Sequence, residues 1–170
     1  MNILDQFNKF YSPRYKLDND RLGFPEIGIV PTKLQNYNYW CTPINSICFA
    51  ATGGDGENFS VLTNSMDEIF NAPVVFTTPV EEPYNSIVAA NIEDFFRFGM
   101  NNLFENLSAE LSKMRGTHLE YYKWDDLDEY GRRSYRDFRN EMCLSQIDNY
   151  QQYLNEIQVL ISLAVFKNPI

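Results

Sequence analysis

Two runs rich in β-branched and aromatic residues, Ser46 to Thr52 and Asn58 to Thr63, are separated only by Gly53-Gly54-Asp55-Gly56-Glu57. No other stretch constrains the fold as much. So short a connection joins antiparallel neighbours, because parallel strands need a crossover of about a dozen residues or more. Glycine reaches backbone angles that a Cβ makes costly, and Asp55 can accept hydrogen bonds from turn amides. Gly53, Gly54, Asp55 and Gly56 are therefore expected to be structural turn residues.

The pattern around this hairpin extends the sheet. Glu26 to Pro31 reads as a short strand, followed by an irregular, Tyr-rich stretch punctuated by prolines up to Asn45. Val74-Val75-Phe76, between Pro73 and Pro79, is a further strand, and Ile87-Val88-Ala89-Ala90 is apolar enough to be a central one. Helical spacing appears elsewhere. Leu4, Phe7 and Phe10 or Tyr11 mark a short opening helix that ends before Pro13. Asn91 caps a helix whose first turn carries Glu93 and Asp94, and whose apolar face continues through Phe95, Phe96, Leu103, Leu107, Leu111 and Met114 towards Gly116.

Past Gly116 an acidic block (Asp125, Asp126, Asp128, Glu129) precedes a basic one (Arg132, Arg133, Arg136, Arg139), which reads as a solvated helix or a pair of helical turns. Cys143, Ile147, Tyr150, Leu154, Ile157, Ile161 and Ala164 then form one apolar stripe, predicting a long C-terminal amphipathic helix. Its apolar face packs either on its own sheet or against a partner helix or dimer seam. Strands gathered in the first half and helices in the second predict an α+β fold: a central, mostly antiparallel sheet flanked by helices. The whole chain, 1–170, reads as a single domain, with a motif-bearing core at 43–99 and a helical extension at 117–170.

Composition decides between partners. A net charge of −9 repels phosphate backbones, disfavours nucleic acid and favours basic partners, although it also serves solubility. The start lacks the basic and apolar regions of a secretory signal, and no apolar run is long enough to span a bilayer. Three scattered cysteines, Cys41, Cys48 and Cys143, suit a reducing compartment. A cytoplasmic protein is expected, as monomer or homodimer, without membrane association.

The chemistry-bearing residues are sparse. One His, His118, and three separated Cys do not supply a zinc set. Cys48 lies among Ile47 and Phe49 in a strand, where burial raises a thiol pKa and suppresses reactivity. Glu81-Glu82, Glu93-Asp94 and Asp125-Asp126 are sequence neighbours whose side chains diverge, which makes a poor acid–base couple. A Gly-Gly-Asp-Gly resembling this one occurs in lipid kinases related to diacylglycerol kinase. Here no helix N-terminus and no basic residue accompanies it, so the turn reading stands. No catalytic residue, metal ligand or cofactor is assigned.

The run Ile47-Cys48-Phe49-Ala50-Ala51-Thr52-Gly53-Gly54-Asp55-Gly56-Glu57-Asn58-Phe59-Ser60-Val61-Leu62 resembles the signature of the SUKH superfamily. Downstream, Pro73-Val74-Val75, Pro79, and Ile87-Val88-Ala89-Ala90-Asn91-Ile92-Glu93-Asp94-Phe95-Phe96 followed by Gly99 are similar to the family's strand leading into a helix. The family includes the yeast regulator of cell-wall glucan synthesis and many bacterial proteins. Glu57-Asn58 departs from the family pattern, and the residues after Gly99 have no counterpart in it.

The resemblance implies an α+β fold and, for bacterial members, an immunity protein that neutralises a cognate toxin. It brings no catalytic residues. The expected function is thus non-enzymatic protein binding, with a regulatory or scaffold protein of the cell-wall-regulator type as the alternative. A basic toxin domain is the expected partner. Glu81, Glu82, Asp125, Asp126, Asp128 and Glu129 are the candidate contacts, because opposite charge speeds encounter and lends specificity.

Overall fold

The computed structural model describes residues 1–11, 29–52, 56–79, 82–98 and 129–161. Five strands, β1 (Val30–Gln35), β2 (Ile47–Ala51), β3 (Asn58–Val61), β4 (Val74–Thr77) and β5 (Asn85–Ala89), form one sheet in the order β1-β2-β3-β4-β5. Every neighbouring pair is antiparallel. The described α-helices are α1 (Ile3–Tyr11), α2 (Ile92–Phe98), α3 (Glu129–Glu141) and α4 (Tyr150–Ile161). The fold is α+β.

The hairpin forms where the glycine-bearing turn predicts it. Ala51 pairs with Asn58, and the Thr52 amide donates to the Glu57 carbonyl at 3.3 Å. Gly53, Gly54 and Asp55 lie outside the described residues. Gly56 has φ +76°, and a Cβ there would stand 3.2 Å from Pro79 Cγ and 3.4 Å from Tyr39 Cε2. Positive φ and close approach both select glycine at this position.

Helix starts follow the side-chain chemistry of their first residues. Asn2 Oδ1 accepts from the Asp5 amide at 2.8 Å, and Asn91 Oδ1 accepts from the Asp94 amide at 2.9 Å, satisfying donors that a helix leaves orphaned. α1 ends at Tyr11, as Pro13 requires. The apolar face continuing from Leu103 to Met114 lies outside the described residues.

Period-two alternation divides the sheet into two faces. On one, Phe49, Phe59, Phe76, Val61 and Val74 meet the helices. Phe59 stacks on Phe76 with centroids 5.1 Å apart, and Phe95 of α2 packs on Phe49 and Phe59 at 5.2 and 4.8 Å. Phe96 reaches Phe7 of α1 and Phe138 of α3, at 5.1 Å each. The other face carries Cys48, Asn58, Ser60, Val75 and Thr77, all fully buried.

Four expectations are corrected. β5 stands at an edge of the described sheet rather than at its centre. It is apolar because α4 lies along it: the Tyr150 hydroxyl donates to the Val88 carbonyl, and the Tyr153 hydroxyl accepts from the Ala90 amide at 2.6 Å. Alternate residues of a strand aim their polar groups the same way, so two tyrosines one helical turn apart occupy groups that an edge would otherwise leave open. The strand expected from Glu26 to Pro31 runs on to Gln35 as β1, its first three expected residues lying outside the described ones, and it carries Pro31 on the opposite edge of the described sheet, where a missing amide donor is tolerated.

The third correction concerns α3. It is not simply solvated: Tyr135 and Phe138 are buried, and so is Arg139 from the basic block, whose Nη2 donates to the Leu144 carbonyl at 2.6 Å.

The fourth is that the final helix starts at Tyr150, not Cys143, and is described for 12 residues, so the long helix expected from Cys143 to Ala164 is shortened at its start. Cys143 has φ +54° and terminates α3. Its amide donates to Asn140 O at 3.2 Å, and the Leu144 amide donates to Arg139 O at 3.0 Å. That pair of bonds is the Schellman arrangement, whose left-handed position usually carries glycine. Asn149 then caps α4 through Oδ1, which accepts from the Gln152 amide at 3.0 Å. Tyr150, Leu154 and Ile157 are buried within the chain, so the described part of the stripe packs on its own sheet.

A prediction follows from the cap. Cys143 is exposed, so Cys143→Gly removes left-handed strain without losing packing and raises unfolding free energy by about 1 kcal/mol. Chemical denaturation measures it; a destabilised variant would contradict the cap.

Candidate interaction surface

The buried polar face determines what lies above it. Small polar side chains below the surface must find partners, and here they do so within the sheet and the β1–β2 loop. Ser60 Oγ donates to Asn58 Oδ1 at 3.1 Å, Asn58 Nδ2 to the Gly56 carbonyl at 3.1 Å, and Thr77 Oγ1 to Asn85 Oδ1 at 2.8 Å. Asn85 Nδ2 then donates to the Cys41 carbonyl at 2.8 Å.

That last bond fixes the path of the loop from Asn36 to Ser46. β1 ends at Gln35 and β2 begins at Ile47, beside Val61. Asn85 and Gly56 belong to the opposite end of the sheet, where Ala51, Asn58 and Thr77 align. For Cys41 to reach Asn85 and Tyr39 to reach Gly56, the loop must fold back along the polar face, forming a strap over it.

The strap is held by side-chain amides. Asn36 Nδ2 lies 2.9, 3.3 and 3.0 Å from the carbonyls of Pro43, Ile44 and Ser46, while its Oδ1 accepts from the Asn38 amide at 2.7 Å. Asn38 takes φ +55°, a left-handed angle that asparagine tolerates better than most residues. Ser46 Oγ closes the base on the Pro43 carbonyl at 2.7 Å.

Tethered at both ends, the strap turns apolar groups outward. Trp40 is 61% exposed, Ile44 72% and Tyr39 46%, whereas Phe49, Phe59, Phe95 and Phe96 are at most 1% exposed. Trp40 packs against Tyr84 of the β4–β5 turn in a T-shaped pair, with centroids 4.5 Å apart and planes at 76°. The Tyr84 hydroxyl donates to Glu82 Oε1 at 3.0 Å, and this bond to a carboxylate holds its phenol above the usual pKa.

Of the candidate contacts, Glu82 is described, exposed and adjacent to this ring pair. Glu129 is the first residue of α3. Glu81, Asp125, Asp126 and Asp128 lie outside the described residues, as does His118. The structure thus associates Glu82 with Trp40 and Tyr84, which sequence reasoning did not single out. The signal for Trp40 was the density of rings between Tyr37 and Trp40 among turn-forming residues.

The remaining chemistry is quiet. Burial pushes the Cys48 thiol up, outweighing the opposing influence of its hydrogen bonds with Thr32, Ser60, Tyr37 and the Ala50 carbonyl, and such a thiol is a poor nucleophile. Burial also raises Cys41, and all three cysteines are free. Among the described residues no three His, Cys, Asp or Glu gather as metal ligands, and no helix is long and apolar enough to cross a membrane. A recess of about 330 Å³ is lined by Ile3, Phe70, Asn71, Asn91 and Glu93, among others, and among the described residues no nucleophile stands beside its carboxylate. Asn91 in it is already engaged in capping α2.

Compared with known proteins, the chain matches no family model, no curated protein and no solved structure.

Proposed function

We propose that this chain is a non-enzymatic protein-binding domain, an immunity protein that neutralises a cognate bacterial toxin by binding it directly. The observation that carries this reading is the strap. A tryptophan and two neighbouring apolar residues face solvent on a loop tied down by hydrogen bonds, in a chain that buries most of its other described rings. Exposed aromatic residues on a rigid support are the usual anchors of protein interfaces, because they bury large area at little cost in ordering. The charge of −9 adds a preference for a basic partner. The SUKH-like run from Ile47 to Leu62, continued from Ile87 to Phe96, supplies the toxin-neutralising role.

Affinity capture from the encoding host, at low and moderate salt, tests the reading when followed by co-expression. One basic protein retained in stoichiometric amount, whose toxicity to a growing culture is relieved by co-expressing this chain, is the expected result. A captured partner that is no less toxic in the presence of this chain would overturn the immunity role.

A further inference from the structure

We propose that the Trp40–Tyr84 ring pair with Glu82 is a receptor for a cationic side chain, an arginine or lysine of a basic protein partner. This inference rests on the protein-binding reading and assigns it a site.

Three observations converge. The Trp40 ring meets Tyr84 in a T-shaped pair yet remains 61% exposed, so much of its surface is open. The face of an indole carries negative electrostatic potential and attracts cations more strongly than any other side-chain ring. Glu82 stands at the rim of the pair, positioned through Oε1 by the Tyr84 hydroxyl. A guanidinium lying on the indole would therefore meet a fixed carboxylate at the edge of the same surface, combining ring attraction with a charge-assisted hydrogen bond.

The support is prearranged. Asn85 holds the Cys41 carbonyl beside Trp40, Asn36 holds the Pro43 and Ile44 carbonyls, and Tyr39 lies close to Gly56. Little order has to be created when a ligand arrives. The occupant follows from charge: a phosphate-bearing ligand meets the repulsion of a −9 chain, and an acidic peptide meets Glu82, whereas a basic segment is attracted by both. Exposed Ile44 and Tyr39 can accept the aliphatic stem of the same residue or its neighbours.

The test titrates the isotope-labelled protein, at physiological ionic strength, with an acetylated and amidated Gly-Arg octapeptide and a Gly-Gln octapeptide of equal length, followed by heteronuclear NMR. The Arg peptide is expected to shift the Trp40 indole resonance and the amides of 37–44 and 82–85. Trp40→Ala should weaken it about fivefold and Glu82→Gln about threefold. Glu156→Gln, which removes the same charge from the exposed side of α4, should leave it within about 1.5-fold.

Arg-peptide binding that leaves the Trp40 region unshifted, or that Glu156→Gln weakens as much as Trp40→Ala does, overturns the site but leaves the basic-partner reading standing. Equal binding of the two peptides overturns both. Shift mapping on the unaltered chain gives this answer even if a variant folds poorly.

Discussion

Truncating Phe96 to alanine should lower the free energy of unfolding by about 3–5 kcal/mol, a large share of the roughly 5–15 kcal/mol typical of a whole domain. The ring is fully buried and stands where four elements meet: Phe7 of α1 at 5.1 Å, Phe49 of β2 at 6.3 Å, Phe95 of its own helix at 5.3 Å and Phe138 of α3 at 5.1 Å. Removing it opens a void whose walls are other aromatic rings, which cannot collapse inward without leaving their own contacts. Urea unfolding followed by circular dichroism should show a much lower midpoint with an unchanged slope. Trp40→Ala is the internal comparison, since its ring is mostly in solvent and should change stability by about 0.5 kcal/mol or less. Equal losses from the two truncations would contradict the packing described here.

That contrast between two aromatic residues shows what the sequence disclosed. Phe96 was legible because it repeats at helical spacing with Ile92 and Phe95 behind an Asn91 cap, a local pattern with local causes. The β2–β3 hairpin and β4 were legible for the same reason: turn chemistry and alternation act over a few residues. Trp40 was not, because its exposure depends on the strap folding back towards Asn85, a residue 44 positions away in sequence from the Cys41 carbonyl it holds. Composition around Tyr37–Trp40 reads equally well as core or as surface until that path is known.

The same distinction explains the misplaced elements. The apolarity of β5 was attributed to a central position, but tertiary contact with Tyr150 and Tyr153 accounts for it at an edge. The stripe through Cys143 and Ile147 was read as continuous helix because helical spacing survives a break of this length by chance. The positive φ at Cys143, in a residue other than glycine, left no mark in the sequence. In the candidate site, Glu82 was singled out for its charge, and its ring neighbours came only with the structure.

Stability should also drain away in alkali, and Tyr135 should carry a measurable part of that loss. Burial pushes its phenol well above the ordinary value near 10, outweighing the opposing influence of the Arg139 charge, while its hydroxyl donates to the Phe96 carbonyl. The unfolded chain gives up this proton at about pH 10, whereas the native state retains it, so above that pH the native state binds more protons and unfolding becomes easier. The stabilisation is complete below the unfolded-state pKa and falls by up to about 1.4 kcal/mol per pH unit above it. Tyr153 acts in the same direction, raised chiefly by burial, but it is partly exposed and its share is smaller. Tyr135→Phe separates two consequences of one hydroxyl. At neutral pH the variant should lose about 1–3 kcal/mol, because the Phe96 carbonyl is left buried without its donor. Between about pH 10 and 11.5 its stability should then fall less steeply than that of the unaltered chain, by up to one proton's worth of slope. Urea unfolding at a series of pH values measures both. A neutral-pH loss with parallel alkaline slopes would mean that the phenol ionises as readily in the native state as in the unfolded one, which is incompatible with the burial of this α3 side chain.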